Sequence, residues 1–358
     1  MGQLEPLAVV QSRLHTQRLA SGHFAKPAEA VHWLGAMQAQ EFAEAKWSIA
    51  ERVGACTDAD VEEAFARGEI LRTHVLRPTW HFVAQADIRW MLRLTAPRVH
   101  AANRYTYRRF DLPDETLEQA HGVIAAALGS GEPRTRLELA DALAKAGIVA
   151  DGVRLGYILM HAELEELVCS GPRRGKQHTY ALLDQRAPEA PALTREEALY
   201  ELTLRFFRSR GPATVTDFTA WSGLTVADAK AGLEMAAKEL DRTPDEKGTA
   251  WIGGAGANEG ASAPGAYLIP MYDEMGIGYK DLRMVLAEPP PGDRILSRPI
   301  VIDGRAVGSW KRTVAKRAVT VEATLFTELS AGERAALEAA VERFGRFIEL
   351  PASLELTP

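Results

Sequence analysis

Cysteine is scarce in this chain: 358 residues hold two, Cys56 and Cys169. Two thiols build neither a disulfide framework nor a four-thiolate zinc site, so both are expected to be buried or inert. The nine histidines are dispersed without metal-ligand spacing. His74 and His81 stand seven apart across an expected hairpin, with no cysteine or carboxylate in register, so no metal is expected. Long apolar runs are missing as well. The longest stretch of small apolar residues, around Val123 to Leu128, is too short to span a bilayer, and no signal-like apolar region follows Met1. Pro6 occupies the place where a myristoylation signal needs Ser or Thr. A cytoplasmic protein without membrane contact is expected. Gly254–Gly260 is not a G-x-G-x-x-G turn, and neither G-x-S-x-G nor S-x-x-K occurs, which removes the simplest dinucleotide, phosphate-loop and serine-nucleophile readings. No cofactor is expected.

An overall positive charge is also lacking. The 42 Lys+Arg against 48 Asp+Glu leave −6 and a pI near 5.9, which argues against phosphate binding by the whole surface. The cations are nevertheless segregated. Residues 67–110 carry +7, 279–317 carry +5 and 171–186 carry +3, against −21 on the remaining 259 residues. Three basic segments on one face would serve a nucleic acid. Arg outnumbers Lys by 32 to 10. The planar fork of Arg suits phosphate and base edges, although a GC-rich genome produces the same bias.

What the chain does have is a repeated order of signals. Capping boxes mark helix starts at Thr135/Glu138, Thr194/Glu197 and Ser330/Glu333, with Asp versions at Thr57/Asp60, Thr214/Asp217 and Thr225/Asp228. Apolar stripes follow some of them: Leu155, Ile158, Leu159 and Ala162, then Leu199, Leu202 and Phe206. β-like runs close the groups at 71–76, 80–83 and 178–183, the last after a cation-rich Gly/Pro turn at 170–177. Three helices and then a hairpin is the order of a winged helix, and it recurs over roughly 27–83, 114–183 and 194–252, the third hairpin lying near Ala250–Ile252. Pro188 and Pro191 lie in a linker. A Gly/Ala/Ser-rich loop at 253–265 leads into strands expected at 267–269, 299–302, 306–310 and 319–325 and a closing helix at 331–347. Pro289-Pro290-Pro291 forces an exposed connection. The expected fold is α+β and mainly α: three tandem winged-helix units around a C-terminal β-rich, barrel-like domain. The boundaries are 1–110, 111–186, 187–255 and 256–358.

Arg173-Arg174-Gly175-Lys176-Gln177-His178 is the clearest binding feature by spacing, and it also reads as a solvated hairpin tip. Asp273 and Glu274 form an adjacent carboxylate pair in a loop-like stretch, for which a solvated or structural role is the default. In Gln38-Ala39-Gln40 the two amides lie two residues apart, on opposite sides of a helix but on one side of an extended segment. If they act together, the chain leaves helical geometry there, as Gly35 permits. Alone, such a pair is usually structural or solvent-facing.

Five blocks in order resemble the tandem winged-helix DNA glycosylases typified by AlkZ, with YcaQ/AlkX-like proteins as relatives. They are Leu34-Gly35-Ala36-Met37-Gln38-Ala39-Gln40-Glu41-Phe42 with Ala45-Lys46-Trp47; residues 71–83; Ser170-Gly171-Pro172-Arg173-Arg174-Gly175; Leu268-Ile269-Pro270 through Asp273-Glu274 to Gly278-Tyr279-Lys280-Asp281; and Val301-Ile302-Asp303-Gly304 with Gly308-Ser309-Trp310-Lys311-Arg312. The resemblance spans nearly the whole chain and implies the fold given above. It also implies a Gln-x-Gln motif, matched by Gln38 and Gln40, that supports hydrolysis of the N-glycosidic bond of alkylated purines. A related branch has Asp at the second motif position, where this chain has Gln40. Met275 departs from the larger aromatic or aliphatic residue common in the family. The implied protein is a monofunctional glycosylase of cationic N7-alkyl purines, with the unhooking of interstrand crosslinks left open, a monomer working on double-stranded DNA in the nucleoid. Arg77, Arg173, Arg174, Lys176, Lys311, Arg312, Lys316 and Arg317 are the candidate DNA contacts. Trp47, Asp273 and Glu274 are candidate pocket residues. A non-catalytic winged-helix DNA-binding protein or transcriptional regulator is the alternative, since fold alone does not fix function.

Overall fold

Small hydroxyl residues set where the helices begin. Thr57, Thr135, Thr194, Thr214, Thr225 and Ser330 each accept a hydrogen bond from the backbone N–H three residues on, and the acid at that position bonds back to the cap. Each box satisfies N–H groups that the first helical turn leaves without partners. The computed structural model describes residues 5–20, 23–188, 192–244, 250–254, 265–280 and 297–357. Pro191, most of the Gly254–Gly260 stretch, Asp281 and Pro289-Pro290-Pro291 lie outside the described residues.

Helix α1 (Pro6–Thr16) precedes the first unit: α2 (Pro27–Leu34), β1 (Ala36–Gln38), α3 (Phe42–Ala50), α4 (Asp58–Arg67), β2 (Ile70–His74) and β3 (Trp80–Ala84). The long α5 (Ile88–Arg109) leads to the second: α6 (Asp114–Leu128), β4 (Arg134–Thr135), α7 (Arg136–Lys145), α8 (Gly152–Leu164), β5 (Val168–Arg174) and β6 (Gln177–Leu182), closed by α9 (Leu183–Arg186). The third comprises α10 (Arg195–Arg210), α11 (Val215–Ser222), α12 (Val226–Met235), β7 (Leu240–Pro244) and β8 (Ala250–Gly254). Every unit has the expected three helices and hairpin, together with one element that sequence patterning misses. The chain between the first two helices pairs with the second hairpin strand: β1 on β3, β4 on β6, and Ala213 in a single bridge to Ile252. Strands of three residues or fewer offer too little alternation to be read from sequence.

The C-terminal module contains β9 (Ala266–Leu268), α13 (Glu274–Ile277), β10 (Pro299–Ile302), β11 (Arg305–Val314), β12 (Val319–Leu325), α14 (Ala331–Phe347) and β13 (Ala352–Thr357). Its sheet has the order β13-β12-β11-β10-β9, parallel between β12 and β13 and antiparallel elsewhere. The β-rich module is present as an open sheet. Among the described residues its outer strands β9 and β13 do not pair with each other, so the expected barrel-like form does not close.

Cores tie these parts together. Trp47 of α3 packs against Phe344 and Phe347 of α14 at ring-centroid distances of 5.0 and 5.1 Å, and its indole N–H donates to the Leu268 carbonyl at 2.8 Å. The same apolar cluster takes in Trp310, Val321 and Leu337, which seats the first unit on the C-terminal sheet. A second cluster, with Met91, Leu202, Phe206 and Trp221, joins α5 to the third unit. Burying large aromatics of this kind contributes about 1.5–3 kcal/mol each. Among the described residues, no helix is long and apolar enough to cross a membrane.

Candidate active site

Gly35 ends α2 at φ +75°, a conformation that costs a residue with a Cβ, and turns the chain into β1. β1 runs antiparallel to β3 with Gln38 opposite His81, and the Ala39 N–H donates to the Trp80 carbonyl at 2.7 Å. The departure from helical geometry expected for Gln38-Ala39-Gln40 is therefore observed. Side chains from β2, the third unit and the C-terminal module hold the rest of this backbone. Arg210 donates to the carbonyls of Leu34 at 2.8 Å and Ala36 at 3.1 Å, and Arg72 donates to that of Ala39 at 3.0 Å. The Gln38 N–H donates to Glu274 Oε1 at 3.0 Å.

Gln38 is half-buried, and its side-chain oxygen accepts from Arg77 Nη2 at 3.2 Å, which leaves its NH2 as the free end. Gln40 is exposed, and neither end of its amide has a hydrogen-bond partner among the described residues. One neutral amide is thus fixed on a braced strand, and a second lies free two residues on. Amides so placed can orient a water molecule and stabilise modest positive charge, without the proton-transfer power of a carboxylic acid.

Arg77 reaches Gln38 because another glycine allows it. Any side chain at Gly223, which lies at φ +71°, would bring a Cβ within 2.5 Å of the Leu76 carbonyl oxygen. The close approach sets the end of α11 against the Leu76-Arg77 turn, and Arg77 Nη1 donates to the carbonyls of Ala220 and Trp221. Arg77, expected as a phosphate contact, directs these bonds into the protein. Burial lowers the Arg77 pKa, the Glu274 carboxylate opposes that shift, and the guanidinium serves as an internal clamp.

Asp273 and Glu274 are not solvated loop acids or pocket walls; they are 2% and 0% exposed. Asp273 receives Arg52 through both oxygens, at 2.8 and 2.9 Å, and accepts from the Ser48 hydroxyl. Burial alone would raise its carboxyl, but the charge and hydrogen bonds of Arg52 outweigh burial and hold it below the usual range. Glu274 Oε2 accepts from Arg210 Nη2 at 2.6 Å and from the Trp221 indole at 2.9 Å, while Oε1 takes the Gln38 N–H. Glu274 is a buried brace: Oε2 takes three donors and Oε1 takes the Gln38 N–H. Trp47, at 2% exposure, belongs to the core and also lines a cavity with His23, Glu51, Tyr267 and Arg343.

The wing cations are also largely occupied. Arg173 pairs with Glu62 and lies 4.8 Å from the Phe42 ring centroid, and Arg174 pairs with Glu138 at 2.8 Å and donates to the Pro133 carbonyl. Lys176 stands exposed at the hairpin tip. Arg312 pairs with Glu44 at 2.8 Å. Lys311, Lys316 and Arg317, on and beyond the far end of β11, are exposed without an ion-pair partner among the described residues. Arg173, Arg174 and Arg312, expected as phosphate contacts, are each met by an acid remote in sequence.

Sequence reasoning missed Arg72, Arg210 and His81. No local signal marks an arginine whose partners lie 33 or 174 residues away. His81 is fully buried with Nε2 unpartnered; burial first, and the Arg77 charge second, hold its pKa well below 6.5. Burial pushes both thiols, Cys56 and Cys169, up to about 12, as expected of inert cysteines. The histidines are less dispersed in space than in sequence. α5 and α8 bring His100 and His161 together with Glu165, their ligand atoms within 4.8 Å of one another.

Residues 31–347 match the family described as "DNA glycosylase AlkZ-like". A protein of Streptomyces sahachiroi named "Interstrand DNA cross-link repair glycosylase" is 28% identical over 305 residues, covering 77% of this chain and 79% of that protein. The solved structure of Streptomyces sahachiroi DNA glycosylase AlkZ shares the fold, with a TM-score of 0.78 at 20% identity over 99% of each chain. The family match covers most of the chain and contains the whole braced strand with its two glutamines: this protein belongs to the AlkZ-like DNA glycosylases.

Proposed function

We propose that this glycosylase hydrolyses the C1′–N9 bond of N7-alkylated purines in duplex DNA, with Gln38 and Gln40 as the catalytic pair. The observation that carries the reading is braced Gln38: Arg77 holds its neutral side-chain amide, and Glu274 accepts from its backbone N–H. Departure of an ordinary purine requires protonation of the base, and a carboxylate commonly stabilises the oxocarbenium-like sugar. An N7-alkylpurine is already cationic. It leaves as a neutral base, taking the bonding electron pair, while water adds its oxygen to C1′ and releases a proton to solvent. Two amides then have only to place the water and tolerate modest positive charge on the sugar, which also leaves undamaged bases slow to depart.

The crosslink activity named for the Streptomyces sahachiroi relative is proposed here by kinship: a crosslink through purine N7 carries the same cationic leaving group. The chain would act as a monomer and grip DNA through Lys176, Lys311, Lys316 and Arg317. The test is release of N7-methylguanine from methylated duplex by wild type, Gln38→Ala, Gln40→Ala and the double variant. Loss of about 10²-fold or more in single-turnover rate, with folded protein, is expected for the double variant. Equal release by all four proteins removes the glutamines from catalysis. Binding to duplex without abasic product would restore the DNA-binding alternative.

A further inference from the structure

The seam between α5 and the second unit holds an arrangement that the glycosylase chemistry does not use. His100 on α5 and His161 on α8 approach with ring centroids 4.7 Å apart, and His121 of α6 lies 5.0 Å from His161. Glu165, one residue past the end of α8, brings Oε1 to 3.0 Å from His100 Nε2. That approach does not meet hydrogen-bond geometry: His100 Nε2 is buried and, among the described residues, has no donor–acceptor partner. Two ligand atoms converging side by side on a common point have this relation. Around a tetrahedral zinc with Zn–N near 2.0–2.1 Å they stand about 3.3 Å apart.

The other ring nitrogens are held. His100 Nδ1 lies 3.0 Å from the Tyr107 hydroxyl, which Asn103 approaches in turn at 3.5 Å. His161 Nδ1 lies 3.2 Å from His121 Nε2. Metal-binding imidazoles are fixed in this way, with the nitrogen away from the metal oriented by a neighbour.

We propose that His100, His161 and Glu165 bind a divalent cation of the zinc class, with Tyr107 and His121 orienting the two imidazoles. Two imidazoles and one carboxylate are a borderline donor set that favours zinc over calcium or magnesium. Bound there, the ion would cross-link α5 to α8, a seam already bridged by Arg93 to Glu166 at 2.7 Å. Its role is to fix the second winged helix, and with it the β5–β6 hairpin, on the long helix.

The test is metal binding by the full chain after chelator treatment. Zinc uptake is measured by atomic emission after dialysis, and Co²⁺ serves as the spectroscopic probe. The expected result is one equivalent of zinc per chain, visible Co²⁺ bands of a low-symmetry site, and a rise in melting temperature on adding zinc. Glu165→Gln alters an exposed side chain and leaves the fold intact; it should weaken zinc binding by about tenfold or more, as should Tyr107→Phe. His161→Gln should abolish the cobalt bands. Uptake by wild type no greater than by Glu165→Gln, or a wild-type cobalt spectrum identical to that of the hydrated ion, overturns the proposal and leaves the rings as a packed aromatic seam.

Discussion

Replacing Arg77 by methionine separates two roles that its position in sequence leaves confounded. The guanidinium donates to Gln38 Oε1 at 3.2 Å and to the Ala220 carbonyl at 3.3 Å, and also reaches the Trp221 carbonyl. The Ala220 bond is exposed and the Trp221 bond only partly buried. Water can therefore replace much of the lost pairing, and the cost in stability should stay near the low end of about 1–3 kcal/mol. The catalytic cost is larger. A hydrogen bond from a charged donor is worth about 1.5–3 kcal/mol, and about 1.36 kcal/mol corresponds to tenfold in rate. If the clamped conformer of Gln38 is the reactive one, single-turnover release of N7-methylguanine should fall about 10- to 150-fold. Arg77→Lys should fall between, since an ammonium cannot span three acceptors set in a fork. The discriminating measurement is duplex affinity against salt. An arginine on a phosphate contributes about one unit to the slope of log affinity against log salt, whereas an internal clamp contributes none. An unchanged release rate in folded Arg77→Met, or a slope reduced by about one, refutes the clamp.

Glu274→Gln keeps the shape of the brace but leaves the buried Arg210 charge without its partner, at a cost of about 3–5 kcal/mol. It should lower the thermal midpoint far more than substitution of exposed Gln40, and equal midpoints would show the pair to be dispensable. Lys316→Ala/Arg317→Ala should lower the salt slope of duplex binding by about two. Arg173→Ala/Arg174→Ala, whose targets are already paired with Glu62 and Glu138, should lower it by less than one and act mainly on stability. A larger drop from the wing pair would restore those arginines as phosphate contacts. His81 gives a pH signature. Its folded pKa is well below 6.5, so the folded ring stays neutral while the unfolded chain takes up a proton as pH falls beneath about 6.5. Stability is thereby lost on acidification, by about 1.4 kcal/mol at pH 5.5. Urea midpoints at pH 7.5 and 5.5 should diverge less in His81→Gln than in wild type, and an identical divergence would show that the ring protonates in place.

What the sequence disclosed and what it hid divide along the distance over which each feature is decided. Caps and apolar stripes act within one or two turns, and Thr135, Thr194 and Ser330 begin helices where their capping boxes lie. Gln38 and Gln40 were legible as chemistry only by resemblance, and their extended geometry followed from spacing only once the two were taken to act together. Charge is decided otherwise. The +7 window at 67–110 read as a basic surface, but several of its arginines find acids, some nearby and some far along the chain. Arg89 pairs with Glu166 and Asp184, Arg93 with Glu166, and Arg67 with Glu63 and Glu69. Arg72 lies buried over the Trp80 ring, where burial lowers its pKa to about 10. A window sum treats each cation as free, although pairing at separations of 70 to 100 residues cancels it locally. The same holds for the arginine excess, since Arg13, Arg52 and Arg210 are among the largest fully buried side chains. A guanidinium can occupy such positions because it stays charged and spreads five donors over several carbonyls and a carboxylate, which a lysine cannot do. The bias toward arginine in this chain is therefore in part a bias toward internal clamps. Free positive surface for DNA has to be sought where no acid folds back among the described residues, at Lys176, along Lys311, Lys316 and Arg317, and at the exposed Arg104, Arg108 and Arg109 of α5.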